Sequence, residues 1–137
     1  MLNKRKDIVA FCCLKRALFL DPFKWEIHAN LAKLFMRKNK YLSAQIHLRS
    51  ALKLKPDPYF YNLLGICFCE LEDYGNAEKS FEEGGRMDDE ECKINHLCLL
   101  LKMGNQEKAK EKYKSLEESG SYSLNVKEKL IEVKRYL

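Results

Sequence analysis

Four positions, Ala17, Ala51, Gly84 and Leu116, follow one another at offsets of 34, 33 and 32 residues, each at the same place in a similar run of side chains. A period that short holds one helix pair, which cannot enclose a core alone, so the units must stack to bury their apolar faces. The stretch from Tyr61 to Phe81 shows the unit in full. Leu64, Phe68 and Leu71 recur at helical spacing, Glu72-Asp73 make a turn, and a second helix opens at Tyr74 with Ala77 and Phe81 one turn apart. Small residues at Gly65 and Ala77 let two helix backbones approach closely. Tyr61, Leu64, Phe68, Tyr74 and Phe81 then fill the space around that contact.

Taken along the chain, the pattern predicts a single array. Residues 1–22 hold a second-type helix, Asp7 to Phe19, with Ala10, Leu14, Ala17 and Leu18 on one face and no first helix before it. Whole units are expected at 25–57, 58–89 and 90–121. In the first of these, Leu31, Ala32 and Phe35 lie inside one helix, and Ala44, Leu48, Ala51 and Leu52 inside the other. Pro56 stops that second helix, because proline has no N–H and its ring clashes with the preceding turn. Gly84 has a packing reason to be small, whereas Gly85 has none and weakens its helix. Residues 123–137 form a capping helix, with Asn125 expected as N-cap, Glu128 as its reciprocal partner, and Val126, Leu130, Val133 and Leu137 on one face. A chain that opens on a second-type helix is expected to begin inside a longer array or to have lost its first repeat, and the open face of that helix makes self-association plausible.

Charge is distributed unevenly. Residues 1–56 hold 13 Lys/Arg against 3 Asp/Glu, and residues 57–137 hold 12 against 17. No stacking aromatics interleave with the basic residues, so they read as solvated helix faces and no nucleic-acid partner is expected. The six cysteines include the adjacent pair Cys12-Cys13 and no CxxC, a placement that suits free, mostly buried thiols in a reducing compartment. The longest strongly apolar run, Leu97 to Leu101, is far too short to span a bilayer.

Catalytic and cofactor motifs are missing. His28, His47 and His96 form no HExxH and do not pair with cysteines at zinc spacing, so no metal site is expected. There is no glycine-rich phosphate loop and no GxSxG, so an enzyme with catalytic or cofactor-binding residues is not expected. What remains is a binding surface.

The order aromatic, Leu-Gly, aromatic, aromatic, Ala, aromatic in Tyr61–Phe81 resembles the tetratricopeptide (TPR) helix hairpin. That resemblance implies an all-α superhelix of antiparallel hairpins whose first helices line a concave groove. By position, Lys33, Arg37, Tyr59, Asn62, Ile66, Cys69, Ile94 and Cys98 face that groove, a mix suited to an extended peptide or a helix. TPR co-chaperones hold a C-terminal carboxylate with groove lysines, asparagines and an arginine. Asn30 matches one such position, but Tyr59, Leu63, Glu91 and Asn95 stand where cations are needed, so that activity is not expected.

Longer runs are more specific. Cys13–Leu31, Tyr41–Pro56, Leu64–Phe81 and Leu99–Glu118 resemble the C-terminal repeats of the Bardet–Biedl syndrome 4 family, TPR subunits of the BBSome. The Cys13-Leu14-Lys15-Arg16-Ala17 run, with Pro22-Phe23, Trp25 and Ile27 after it, carries most of that likeness. The resemblance implies a non-catalytic scaffold of a coat that moves membrane proteins to cilia, touching membrane only through the complex. It implies BBSome subunits, centriolar-satellite proteins and dynein–dynactin as partners. The implied places are cytoplasm, cilium, ciliary base and centrosome. An unrelated TPR adaptor or chaperone for a peptide is the alternative.

Overall fold

The computed structural model describes residues 2–120 and 122–137. Met1 and Ser121, the latter the last residue of the third expected unit, lie outside the described residues. The described residues form eight helices and no strand: α1 Leu2–Leu20, α2 Trp25–Arg37, α3 Tyr41–Leu54, α4 Pro58–Glu70, α5 Tyr74–Arg86, α6 Glu90–Lys102, α7 Gln106–Ser119 and α8 Leu124–Lys134. Helices α1 to α7 pack chiefly on their chain neighbours: α2 on α3, α4 on α5 and α6 on α7 as hairpins, with α3 on α4 and α5 on α6 between hairpins. This is the all-α TPR superhelix that the sequence pattern predicts.

Hairpin corners have a common chemistry. Asn39, Glu72 and Gly104 adopt positive φ of 59°, 59° and 76° at repeat-equivalent places, and the next residue but one opens the following helix. Aspartates 57, 73 and 89 and Asn105 cap helices α4 to α7, each side-chain oxygen accepting a backbone N–H of the first turn. Pro58 sits in the first turn of α4, where its missing N–H costs nothing.

The inner stripes are buried as expected. Ala44, Leu48, Ala51 and Ala77 are all fully buried, and burying a side chain such as Leu48 is worth about 1.5–3 kcal/mol. Gly65 makes room for the Phe81 ring, and a Cβ there would lie 2.6 Å from Cζ of Phe81. Gly84 is open to the next helix, where an added Cβ would come 2.9 Å from Cβ of Cys92, while Gly85 meets nothing nearer than Lys93 Cγ at 3.6 Å.

Three expectations need correction. First, α1 runs Leu2–Leu20, longer than the expected Asp7 to Phe19; Asp7 lies within it, buried against α2, and accepts from Arg37 Nη1 at 3.1 Å. Second, Ser123, not Asn125, stands at the N-cap of α8, without a side-chain capping bond. Third, the thiols are free but not mostly buried: Cys67 and Cys92 are buried, Cys69 is half-buried, and Cys12, Cys13 and Cys98 are exposed.

At the C-terminal end, α8 lies on α6, and Val126, Leu130 and Val133 join Ile94, Leu97, Leu100, Ala109 and Leu116 in one apolar cluster. No helix among the described residues is long and apolar enough to cross a membrane.

Candidate protein-interaction groove

The first helices α2, α4 and α6 carry the groove positions, and their N-terminal turns set its floor. Asp57 Oδ1 accepts from Tyr59 N at 2.9 Å, which fixes the start of α4 and leaves the Tyr59 side chain 48% exposed above α2. Lys33 Nζ lies 5.2 Å from the Tyr59 ring centroid, a cation–π contact across the two helices. Beside them Trp25 packs on Phe60, ring centroids 5.7 Å apart, and Lys55 Nζ sits 4.1 Å from the Trp25 ring. Trp25, Glu26, Ala29, Lys33 and Tyr59 line a cleft of ≈ 350 Å³.

One repeat further on, Asn95 Nδ2 donates to Asn62 Oδ1 at 2.6 Å, joining α4 to α6 across the groove. Ile66 and Cys69 are half-buried along α4 and pack on the main apolar cluster. Burial raises the Cys69 thiol pKa, with Lys102 pulling the other way and Glu70 adding to the rise.

The structure therefore gathers Lys33, Tyr59, Asn62, Ile66 and Cys69 along α2 and α4. It separates the other three residues. The guanidinium of Arg37 turns back to Asp7 of α1. Ile94 is completely buried rather than groove-facing, because α8 settles on that face of α6. Cys98 is exposed, but in a second cleft of ≈ 530 Å³ that it shares with Lys102 of α6, Gln106 and the α8 residues Lys129, Glu132 and Tyr136. The Glu91–Lys129 ion pair, 3.1 Å, holds α8 there.

Two polar arrangements escaped the sequence pattern because their members lie far apart in the chain. His28 Nδ1 and His47 Nδ1 are 3.3 Å apart, and His28 Nε2 lies 3.0 Å from the Pro22 carbonyl. The carbonyl only accepts, so His28 carries its proton on Nε2 and its Nδ1 accepts from His47 Nδ1–H. Burial chiefly, then His28 and Lys15, lower the His47 pKa. The second is Glu78, Glu82 and His96, whose ligand atoms lie within 4.8 Å of one another. His96 Nε2 is 3.2 Å from Glu78 Oε1, and burial lowers its pKa against the pull of the glutamates. Its Nδ1 is buried without a hydrogen-bond partner, unlike that of a typical metal-binding histidine, and Lys108 and Lys112 line the same cleft as counter-charges.

The tetratricopeptide repeat family profile matches residues 26–58. The chain is 32% identical over 125 residues to the BBSome complex member BBS4 of Mus musculus, an alignment covering 88% of this chain and 24% of that protein. It is 33% identical over 120 residues to the Bos taurus protein of the same name, covering 84% and 23%. The chain thus spans about a quarter of the length of the curated relatives it matches. Among solved structures, Pseudomonas aeruginosa pilF superposes with a TM-score of 0.74 at 21% identity, over 96% of this chain and 62% of that one. The Sgt2 TPR domain of Aspergillus fumigatus superposes with a TM-score of 0.67 at 18% identity, over 81% and 77%. Those two likenesses bear on the fold alone.

Proposed function

We propose that this chain, which belongs to the BBS4 family of TPR proteins, is a non-catalytic scaffold that works by holding other proteins. The observation that carries the proposal is the similarity to BBS4 along 84–88% of the chain, together with a first-helix surface where an aromatic cleft adjoins a polar ladder. That likeness supports a role as a coat subunit for membrane-protein traffic to cilia. The other BBSome subunits would be its direct partners, and centriolar-satellite and dynein–dynactin proteins its partners at the centrosome. Contact with membrane would be indirect, and the protein would reside in the cytoplasm, at the ciliary base and in the cilium.

Affinity purification of the tagged 137-residue chain from ciliated cells tests this. BBSome subunits are expected in the eluate. Their absence, with full-length BBS4 retaining them in parallel, would overturn the assignment.

The cleft between Trp25, Lys33 and Tyr59 supports a second reading, an adaptor for an extended peptide. Lys33, Tyr59, Asn62, Ile66 and Cys69 would make its contacts. It predicts saturable peptide binding by the isolated chain, abolished by Tyr59→Ala combined with Asn62→Ala.

A further inference from the structure

Glu78 and Glu82 stand four residues apart on α5, so their carboxyl groups share one face of that helix. Helix α6 packs on α5 and brings His96 against them. The imidazole Nε2 lies 3.2 Å from Glu78 Oε1 and 3.9 Å from Glu82 Oε1. The His96 side chain is only 8% accessible, against 21% and 41% for the two glutamates, so the trio has a buried floor and an open mouth. Hydrogen bonding does not exhaust it. A neutral imidazole has one proton for two ring nitrogens. On Nε2 that proton serves Glu78 and leaves the buried Nδ1 without a partner; on Nδ1 it leaves the Nε2 lone pair facing two carboxylates. Burial lowers the His96 pKa and so keeps the ring in the neutral form that binds metal.

Charge and distance both leave room for a cation. The carboxylates of Glu78, Glu82 and Glu111 share this cleft with the ammonium groups of Lys108 and Lys112, so one negative charge is left over. Ligands placed tetrahedrally around zinc at about 2.0 Å stand about 3.3 Å apart. The His96–Glu78 separation already matches that spacing, and all three ligand atoms lie within 4.8 Å of one another. One imidazole nitrogen with carboxylate oxygens suits Zn2+, whereas Mg2+ and Ca2+ take oxygen alone. We propose that Glu78, Glu82 and His96 form a reversible Zn2+ site that ties α5 to α6, and through them the two hairpins to which these helices belong. The unpartnered Nδ1 sets the strength of the site. A zinc-bound histidine ordinarily donates its other N–H, and lack of that partner costs about 10–100-fold in affinity, so the ion exchanges instead of being a permanent part of the fold. The cleft is separate from the groove of α2 and α4, and the inference does not depend on how that groove is used.

The test uses the 137-residue chain carrying Cys12→Ser, Cys13→Ser and Cys98→Ser, so that exposed thiols do not compete for the ion. Isothermal titration with zinc chloride at neutral pH should show one site with a Kd in the micromolar range, and magnesium chloride should give no binding heat. Glu82→Gln should weaken zinc binding by about tenfold or more. Glu82 is 41% accessible, so that variant should keep the parent melting curve when no metal is added. Zinc should raise the melting temperature of the parent and leave that of Glu82→Gln nearly unchanged. His47→Gln, in the other histidine pair, should bind zinc as the parent does. Absence of zinc binding up to about 1 mM, binding that Glu82→Gln leaves intact, or binding that His47→Gln removes would overturn the proposal.

Discussion

The ring of Phe81 lies directly over Gly65, so that the first and second helices of the central hairpin meet through a glycine and an aromatic ring. Phe81 is 2% exposed and has no room to swing aside. The neighbouring glycines give the comparison: Gly84 is pressed by Cys92 and Gly85 is nearly free.

Substitution of these glycines by alanine should therefore split by position. In a helix interior the change gains about 1 kcal/mol from propensity. At Gly65 and Gly84 overpacking costs about 1–3 kcal/mol and wins, whereas at Gly85 the gain survives. Urea unfolding followed by far-UV circular dichroism should show lowered midpoints for Gly65→Ala and Gly84→Ala and a raised one for Gly85→Ala.

Acid should loosen the histidine-bearing core. The folded-state pKa values of His47 and His96 are lowered, so in the range below the ordinary histidine value the unfolded chain binds more protons than the folded one. Stability contributed by the neutral rings is present at pH above about 6.5 and is lost as pH falls through the unfolded pKa towards the folded one. Melting temperature should drop between about pH 7 and pH 5, and His47→Gln should flatten that slope. Around the His28–His47 pair the charged neighbour is Lys15, which adds to the effect.

Thiol labelling should separate the cysteines. Cys12 and Cys13 are exposed and should alkylate in the folded chain, whereas Cys98, exposed in the cleft between α6 and α8 but with its thiol pKa raised chiefly by burial, should react more slowly. Burial pushes the Cys67 thiol up to about 12, with Glu70 adding to the shift, and burial likewise raises Cys92 beside Asp89 and Glu91. Mass spectrometry after brief iodoacetamide treatment at neutral pH should find Cys67 and Cys92 unmodified until denaturant is added.

Removing the Asp7 carboxylate should free α1. Asp7 is the buried partner and Arg37 the exposed one, its side chain 61% accessible. The pair and its hydrogen bond together contribute about 1 kcal/mol. Asp7→Ala should speed amide exchange along α1 while leaving α4 and α5 protected.

Much of this architecture was legible in the spacing of small residues. Ala44, Ala51 and Ala77 are fully buried where the period puts them, and Tyr41 and Tyr74 both open helices. Periodicity reports which face of a helix points inward, not which neighbour will cover it. Ile94 carries the groove register of Asn62, yet α8 folds over it. Arg37 has the register of a groove cation, and a carboxylate 30 residues earlier captures it. The His28–His47 contact spans 19 residues and two helices, and nothing in the local pattern announces it. Trp25, the sole tryptophan, stands in the run that carries the family likeness, but nothing in its spacing marks it as a wall of the cleft.

The amide bridge between α4 and α6 gives the groove a chemical polarity. With its oxygen committed to Asn95, Asn62 keeps an NH2 to offer, while the neighbouring cleft sets the Lys33 ammonium and the Tyr59 hydroxyl beside the carboxylates of Glu26 and Asp57. A ligand lying there meets hydrogen-bond givers and takers side by side. A backbone segment, which carries both kinds of group, is thereby favoured over one of a single charge.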